Sequence, residues 1–222
     1  MRKNTTEIVF ILDRSGSMGG LEADTIGGYN SLIKKQKNKE GNVIISTILF
    51  DDVQEVLHDR EDLTKIKPIT DREYYVRGCT ALLDAIGGAI HHIGNIHKYA
   101  REEDRPEKTL FIITTDGMEN SSQRYSYEKV KRMVERQKEK YGWEFLFLGA
   151  NMDAIEVAGR FGIEANRAVN YECDSKGTAL NYQVLNETVS MVRASRPYEL
   201  RRVLDKNWKK DIEQDYQRRH KR

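Results

Sequence analysis

Asp13, Ser15 and Ser17 stand at alternate positions in the run Asp13-Arg14-Ser15-Gly16-Ser17. One carboxylate and two hydroxyls at that spacing make a compact patch of oxygen donors, with Gly16 easing the turn. Hard divalent cations such as Mg2+ take oxygen ligands and retain several waters. An Asp/Ser turn that only caps a following helix uses the same residue types, so the loop alone does not decide. Two later stretches hold matching chemistry. Thr80, in Gly78-Cys79-Thr80, puts a hydroxyl at the start of an apolar helical pattern. Asp116, in Thr114-Thr115-Asp116-Gly117, follows a second buried apolar run.

The elements that must bring these residues together are legible from periodicity. Residues 7–12 form a short β-branched run that predicts a fully buried strand, and 21–37 predict a helix with lysines at its end. Gly27-Gly28 weaken that helix and imply close packing against a neighbouring loop. Strands are expected over 43–50 and 53–58, joined by a turn short enough to require an antiparallel hairpin. A polar helical turn or loop over 60–67 and a loop over 71–78, running back toward the site, precede a helix over 81–99. A strand over 109–114, a charged helix over 127–141 and a strand over 143–149 follow. A short helix over 153–161, an edge strand over 167–171 and a helix over 178–195 complete the series. The last helix is expected to turn Leu180, Val184, Leu185, Thr188 and Met191 inward. This alternation predicts an α/β fold: a doubly wound, mostly parallel central sheet, one antiparallel edge strand, and helices on both faces. In such a sheet the strands beginning near 7 and 109 lie centrally. Their C-terminal ends, and the entry to the helix at 81, can then converge where open α/β sheets bind ligands.

Asp13-x-Ser15-x-Ser17, then Thr80, then Asp116-Gly117 resembles the metal-ion-dependent adhesion site (MIDAS) of von Willebrand factor A-type (vWA) domains. The order of elements is similar too, over roughly residues 5–195, and no motif position is substituted. The resemblance implies a vWA, Rossmann-like domain over 5–196. It implies that Ser15 and Ser17 ligate a cation directly, that Thr80 joins them when an outside ligand is engaged, and that Asp13 and Asp116 hold coordinated waters. Mg2+ is the expected ion, with Mn2+ or Ca2+ as substitutes. The implied function is metal-dependent binding of another protein through its Asp or Glu carboxylate, without catalysis. Intracellular relatives further imply a partnership with AAA-type ATPase systems.

The alternative is a Mg2+-dependent hydrolase or phosphoryl-transfer enzyme built on the same carboxylates. Against it, position 15 lacks the second Asp of aspartyl-phosphate phosphatases resembling the haloacid dehalogenase group. The sequence also has no Walker A loop and no obvious general base.

The chain has 222 residues, 32% of them charged, and a formal net charge of +2. Residues 193–222 carry 11 Lys/Arg against five Asp/Glu, so a mildly acidic body bears a basic tail over 197–222, expected to be helical. Interspersed acids in that tail argue against nucleic acid, and Leu204, Trp208 and Ile212 at i, i+4 spacing favour packing on the body. The polar N-terminal sequence and the lack of an 18-residue apolar run argue against a signal peptide and a membrane span, so a cytoplasmic setting is expected. Two cysteines outside any CxxC pair imply neither a disulfide framework nor a thiolate zinc site. Cys79 is expected to be a small packed residue. His91, His92 and His97 lack metal-pair spacing and are expected on a helix surface or partly buried. Asp84 suits helix-start electrostatics better than support of the site. Glu119 could select ligands at the rim or be merely solvated. Arg14 could pair with an incoming acid or offset the site's own carboxylates.

Overall fold

A computed structural model describes residues 2–205 and 207–220. Its single sheet has six strands in the order β3-β2-β1-β4-β5-β6. They are β1 Arg2–Asp13, β2 Asn42–Phe50, β3 Gln54–Asp62, β4 Pro106–Thr115, β5 Glu144–Gly149 and β6 Ala168–Asn170. All neighbours pair in parallel except β2 and β3. The helices are α1 Glu22–Lys37, α2 Leu82–Tyr99, α3 Tyr127–Tyr141, α4 Ala154–Arg160, α5 Ser175–Ala194, α6 Leu200–Asp205 and α7 Lys210–His220. Among the described residues no helix is long and apolar enough to cross a membrane.

Both faces of the sheet are covered, which is why β1 and β4 read as continuous apolar runs instead of alternating ones. Successive side chains of a strand point to opposite faces. Ile8, Phe10 and Leu12 therefore meet one core, with Tyr29 and Leu32 of α1 and Leu185 and Val189 of α5. Val9 and Ile11 meet the other, with Ile86 and Ile90 of α2, Val130 of α3 and Ala158 of α4. Leu204 and Ile212 join the first core, as does Trp208, whose indole N–H donates to the Asn166 carbonyl at 2.9 Å. The basic segment thus packs the stripe its spacing indicates.

Several local expectations change, among them the starts of β1, β4 and α5, which lie three to five residues earlier than the apolar patterns indicate. The antiparallel strand runs on to Asp62 and not only to 58, because the register with β2 shifts at irregular pairings near Thr47 and carries pairing through Ile44 and Asp62. Gly28 is accounted for by a helix and not by a loop: a Cβ there would lie 2.1 Å from the Tyr182 ring of α5. Met191 is turned outward and 38% exposed, whereas Val184, Leu185 and Thr188 are buried. Cys79 is exposed, not packed.

Two features of this architecture place the functional loops. From β1 the chain crosses by α1 to β2, and from β4 it crosses by α3 to β5, on opposite sides of the central pair. The loops after β1 and β4 therefore part, leaving the crevice where strand order reverses. The β1–β4 register pairs Leu12 with Thr114, which sets Asp13 beside Thr115.

Candidate metal centre

Asp13 closes β1 and is 1% exposed. Its Oδ1 accepts from the Ser15 N–H at 2.7 Å, forming an Asx turn, and its Oδ2 accepts from the Thr115 hydroxyl at 2.5 Å. Burial raises its pKa to about 6, against the opposing pull of those hydrogen bonds and with a further push from Asp116. The Asp13 carbonyl accepts from the Tyr74 hydroxyl at 2.5 Å, so the returning loop 71–78 supports the strand end. Two backbone bonds, Arg77 N–H to Arg14 O and Gly16 N–H to Gly78 O, tie that loop alongside the Asp13 turn.

The three hydroxyls expected at the site converge. Ser15 Oγ lies 3.0 Å from Ser17 Oγ and accepts from Thr80 Oγ1 at 3.1 Å. Ser17 Oγ donates to Asp116 Oδ1 at 2.6 Å. All five residues singled out by spacing thus form one cluster at the switch point. Ser15, Thr80 and Asp116 are buried and Ser17 is exposed, so the cluster opens to solvent on one side. The donors are three neutral hydroxyls and two carboxylates, all hard oxygen. Among the described residues no three His, Cys, Asp or Glu side chains group to hold a metal, so any cation held here would depend on the hydroxyls.

Gly117 supplies the test of fit. A Cβ at this position would stand 2.6 Å from Thr80 Oγ1, 3.0 Å from Ser17 Oγ and 3.5 Å from Ser15 Oγ. The three hydroxyls therefore face a space that exists because residue 117 has no side chain. Oxygen donors around such a space suit a small hard cation.

Thr80 is positioned by the loop after β4. Its N–H donates to Asn120 Oδ1 at 2.9 Å, and its carbonyl accepts from the Asn120 N–H at 3.1 Å. Glu119 is committed inside this loop and does not screen ligands at a rim. It accepts from the Leu83, Ser121 and Ser122 N–H groups, satisfying a free donor in the first turn of α2. Asp84 accepts from the backbone N–H groups of Gln123, Arg124 and Tyr125 at 2.9–3.0 Å. Burial alone would raise its pKa, but those three bonds outweigh it and hold the carboxyl below its ordinary value. Asp84 is therefore the fastener of the loop that carries Asp116 and Asn120, more than a helix-start charge.

Arg14 turns away from the site and is fully buried. Its Nε donates to Asp51 Oδ2 at 2.8 Å, its Nη1 lies 2.8 Å from Glu55, and the Tyr75 ring covers it at 5.3 Å. Arg77 donates to the same Asp51 oxygen at 2.7 Å. Neither role expected for Arg14 holds, because alternation at the strand end sends residues 13 and 14 to opposite sides. His97 is partly buried and bonds Glu7 at 2.5 Å, while His91 and His92 sit on the exposed face of α2.

Four contributors escaped the sequence reading: Tyr74, Thr115, Asn120 and Cys173. The Cys173 thiol donates to Asp116 Oδ2 at 3.3 Å, and burial together with the Asp116 charge pushes it up to about 12. The one sequence signal for any of them was Thr115 directly preceding Asp116.

No family model matches the sequence, and no curated protein matches it. Solved structures do match. The vWF domain of the type V pili tip protein Mfa5 from Porphyromonas gingivalis aligns with a TM-score of 0.60 at 12% identity, covering 86% of this chain and 96% of that one. A von Willebrand factor type A protein from Catenulispora acidiphila aligns at 0.54 and 13% identity, over 84% of this chain and 43% of that one. Proximal thread matrix protein 1 from the mussel byssus, with a zinc-occupied MIDAS motif, aligns at 0.56 and 14% identity, over 83% and 45%. This chain thus spans less than half the length of the latter two. With the strand order and the single antiparallel edge, these likenesses show that the chain has the α/β, Rossmann-like fold of von Willebrand factor A-type domains.

Proposed function

We propose that this chain is a metal-dependent protein-interaction module. Asp13, Ser15, Ser17, Thr80 and Asp116 would hold a divalent cation, Mg2+ first and Mn2+ or Ca2+ as alternatives, and a partner's Asp or Glu carboxylate would complete its coordination. The observation that carries this reading is the convergence of three hydroxyls on the Gly117 face between two buried carboxylates. Neutral hydroxyl ligands leave a bound cation much of its positive charge, which supplies the attraction for an incoming carboxylate.

The chain's own residues do the positioning. Thr115 and the Ser15 N–H occupy both oxygens of Asp13. Asn120 sets Thr80, and Ser17 orients Asp116. The same commitments favour binding over the phosphoryl-transfer alternative, since an Asp13 carboxylate with two donors on it is poorly placed as a nucleophile. The mussel structure, with zinc at its MIDAS motif, supports use of a divalent ion on this fold.

The test is calorimetric titration of the chelator-treated chain with Mg2+ and Mn2+, beside an Asp13→Ala, Ser15→Ala double variant. Saturable binding present in the wild type and absent in the variant is expected. An acidic-peptide array probed with and without chelator then reads the partner chemistry, with capture expected only when the metal is present. Equal heats from both proteins, or capture that survives chelator, would overturn the reading.

A further inference from the structure

Building on the metal-dependent reading above, we propose that Cys173 is a positioning residue for the site: its thiol fixes the rotation of the Asp116 carboxylate. Asp116 is 2% exposed and its two oxygens are divided between two donors. Oδ1 takes the Ser17 hydroxyl at 2.6 Å and Oδ2 takes the Cys173 thiol at 3.3 Å. Among the described residues Cys173 is the side chain that donates to Oδ2. Without it, the carboxylate is held at one oxygen only, and its terminal torsion is broad and nearly two-fold in the absence of partners.

The segment that presents the thiol is fixed on both sides. Before it, the Tyr171 N–H donates to the Gly149 carbonyl at the end of β5, and Tyr171 is buried. After it, Asp174 caps α5 by accepting from the Gly177 N–H at 2.7 Å, and it is ion-paired with Arg219 of α7. Gly177 lies so close that a Cβ there would fall 2.0 Å from the Glu172 carbonyl, so the segment has little room to shift. A weak donor delivered from a fixed backbone orients an acceptor while adding little bond strength of its own. That suits a carboxylate that must stay pointed toward the Ser17 hydroxyl.

The experiment compares the full chain with Cys173→Ala and Cys173→Ser, all in a Cys79→Ser background to remove the exposed thiol, by Mg2+ and Mn2+ titration. Cys173→Ala is expected to weaken cation binding about five-fold, the scale of one ordinary hydrogen bond and below that of a strong one to a charged group. Cys173→Ser, whose hydroxyl also donates, should restore most of that loss. Titrating the parent with Cd2+ should give no thiolate-to-metal charge-transfer band. Wild-type affinity in Cys173→Ala, even with a lowered melting temperature, would make the residue merely structural and overturn the proposal. Failure of the serine to rescue would do the same, and so would a Cd2+–thiolate band, which would make Cys173 a ligand. If the parent binds no divalent ion, the metal-dependent reading falls and this inference with it. If the parent binds and Cys173→Ala matches it, this inference alone falls.

Discussion

Strand β1 carries one buried acid at its middle and another at its C-terminal end, and the two are treated in opposite ways. Glu7 is fully buried, and both of its oxygens meet cationic or potentially cationic partners, Arg60 Nε at 2.5 Å and His97 Nε2 at 2.5 Å. Asp13 is 1% exposed and meets only neutral donors, a backbone N–H and a hydroxyl. The nearest arginine in sequence, Arg14, is spent on Asp51 and Glu55. Burying a carboxylate without a counter-charge is unfavourable, and the raised pKa of Asp13 records that. The middle of the strand supplies positive charge for Glu7 from the chain itself, whereas Asp13 has no such partner, and the cation proposed above would take that place. One strand thus buries one acid with counter-charges and one without.

The largest effect is expected where the satisfied acid is made to resemble the other. Arg60→Ala leaves Glu7 buried with His97 as its remaining partner and should lower the unfolding free energy by about 3 kcal/mol, read by urea denaturation. An Arg60→Ala chain as stable as wild type would mean that Glu7 does not depend on its arginine.

The converse substitution relieves the acid without a counter-charge. Asp13→Asn keeps the shape and removes the uncompensated charge, so in chelator at neutral pH it should raise stability by about 2 kcal/mol. The sign follows from the raised folded pKa: ionised Asp13 is less favourable in the folded than in the unfolded chain. The same variant should lack the Mg2+-dependent stabilisation expected of the wild type under the proposed function, about 2.7 kcal/mol at a hundred-fold excess over Kd. A variant no more stable than wild type in chelator would break the comparison.

A third acid nearby is satisfied chiefly by backbone donors, with Arg124 as a more distant ion pair at 3.5 Å. Asp84 receives three backbone N–H groups, and its carboxyl is held below its ordinary value of 3.8. A depressed folded pKa gives stability that is present above 3.8 and is lost as pH falls through the folded pKa. Asp84→Asn should therefore cost about 1.5 kcal/mol at pH 7, and the gap to wild type should narrow in acid, followed by denaturation at stepped pH. A gap independent of pH would assign the loss to packing alone.

The smallest stability effect, with the sharpest functional one, is expected at Gly117. Alanine there faces three hydroxyls that are polar side-chain ends and can rotate aside, so the cost in stability should be about 1 kcal/mol. Cation binding, in contrast, should fall at least ten-fold by calorimetry, because the methyl takes the space the hydroxyls converge on.

Much of the fold was legible because β1, β4 and β5 are buried on both faces and are written as unbroken apolar runs. Helix α3 was bounded correctly because Ser126 caps it and Gly142 ends it in the left-handed region. Strand β3 was misread past 58 because an edge strand facing solvent has the composition of a polar loop, QEVLHDRED. The tail's contact with the body was written in the stripe Leu204, Trp208, Ile212. The fully buried Arg167, bonded to Glu144 and Asp205, left no such trace, since its partners lie 23 and 38 residues away.

By itself the sequence determined which oxygen-bearing residues could form a site, because their types and alternate spacing are local, and in what order strands and helices would follow. Only the tertiary structure decided which of them meet and what holds them. Tyr74, Thr115 and Cys173 join through bonds to residues 61, 102 and 57 positions away, set by strand register and loop return. It also decided that Arg14 would not neutralise its neighbour. The direction of a side chain at a strand end depends on the sheet it closes, and that sheet is completed by β2 and β4, far along the chain.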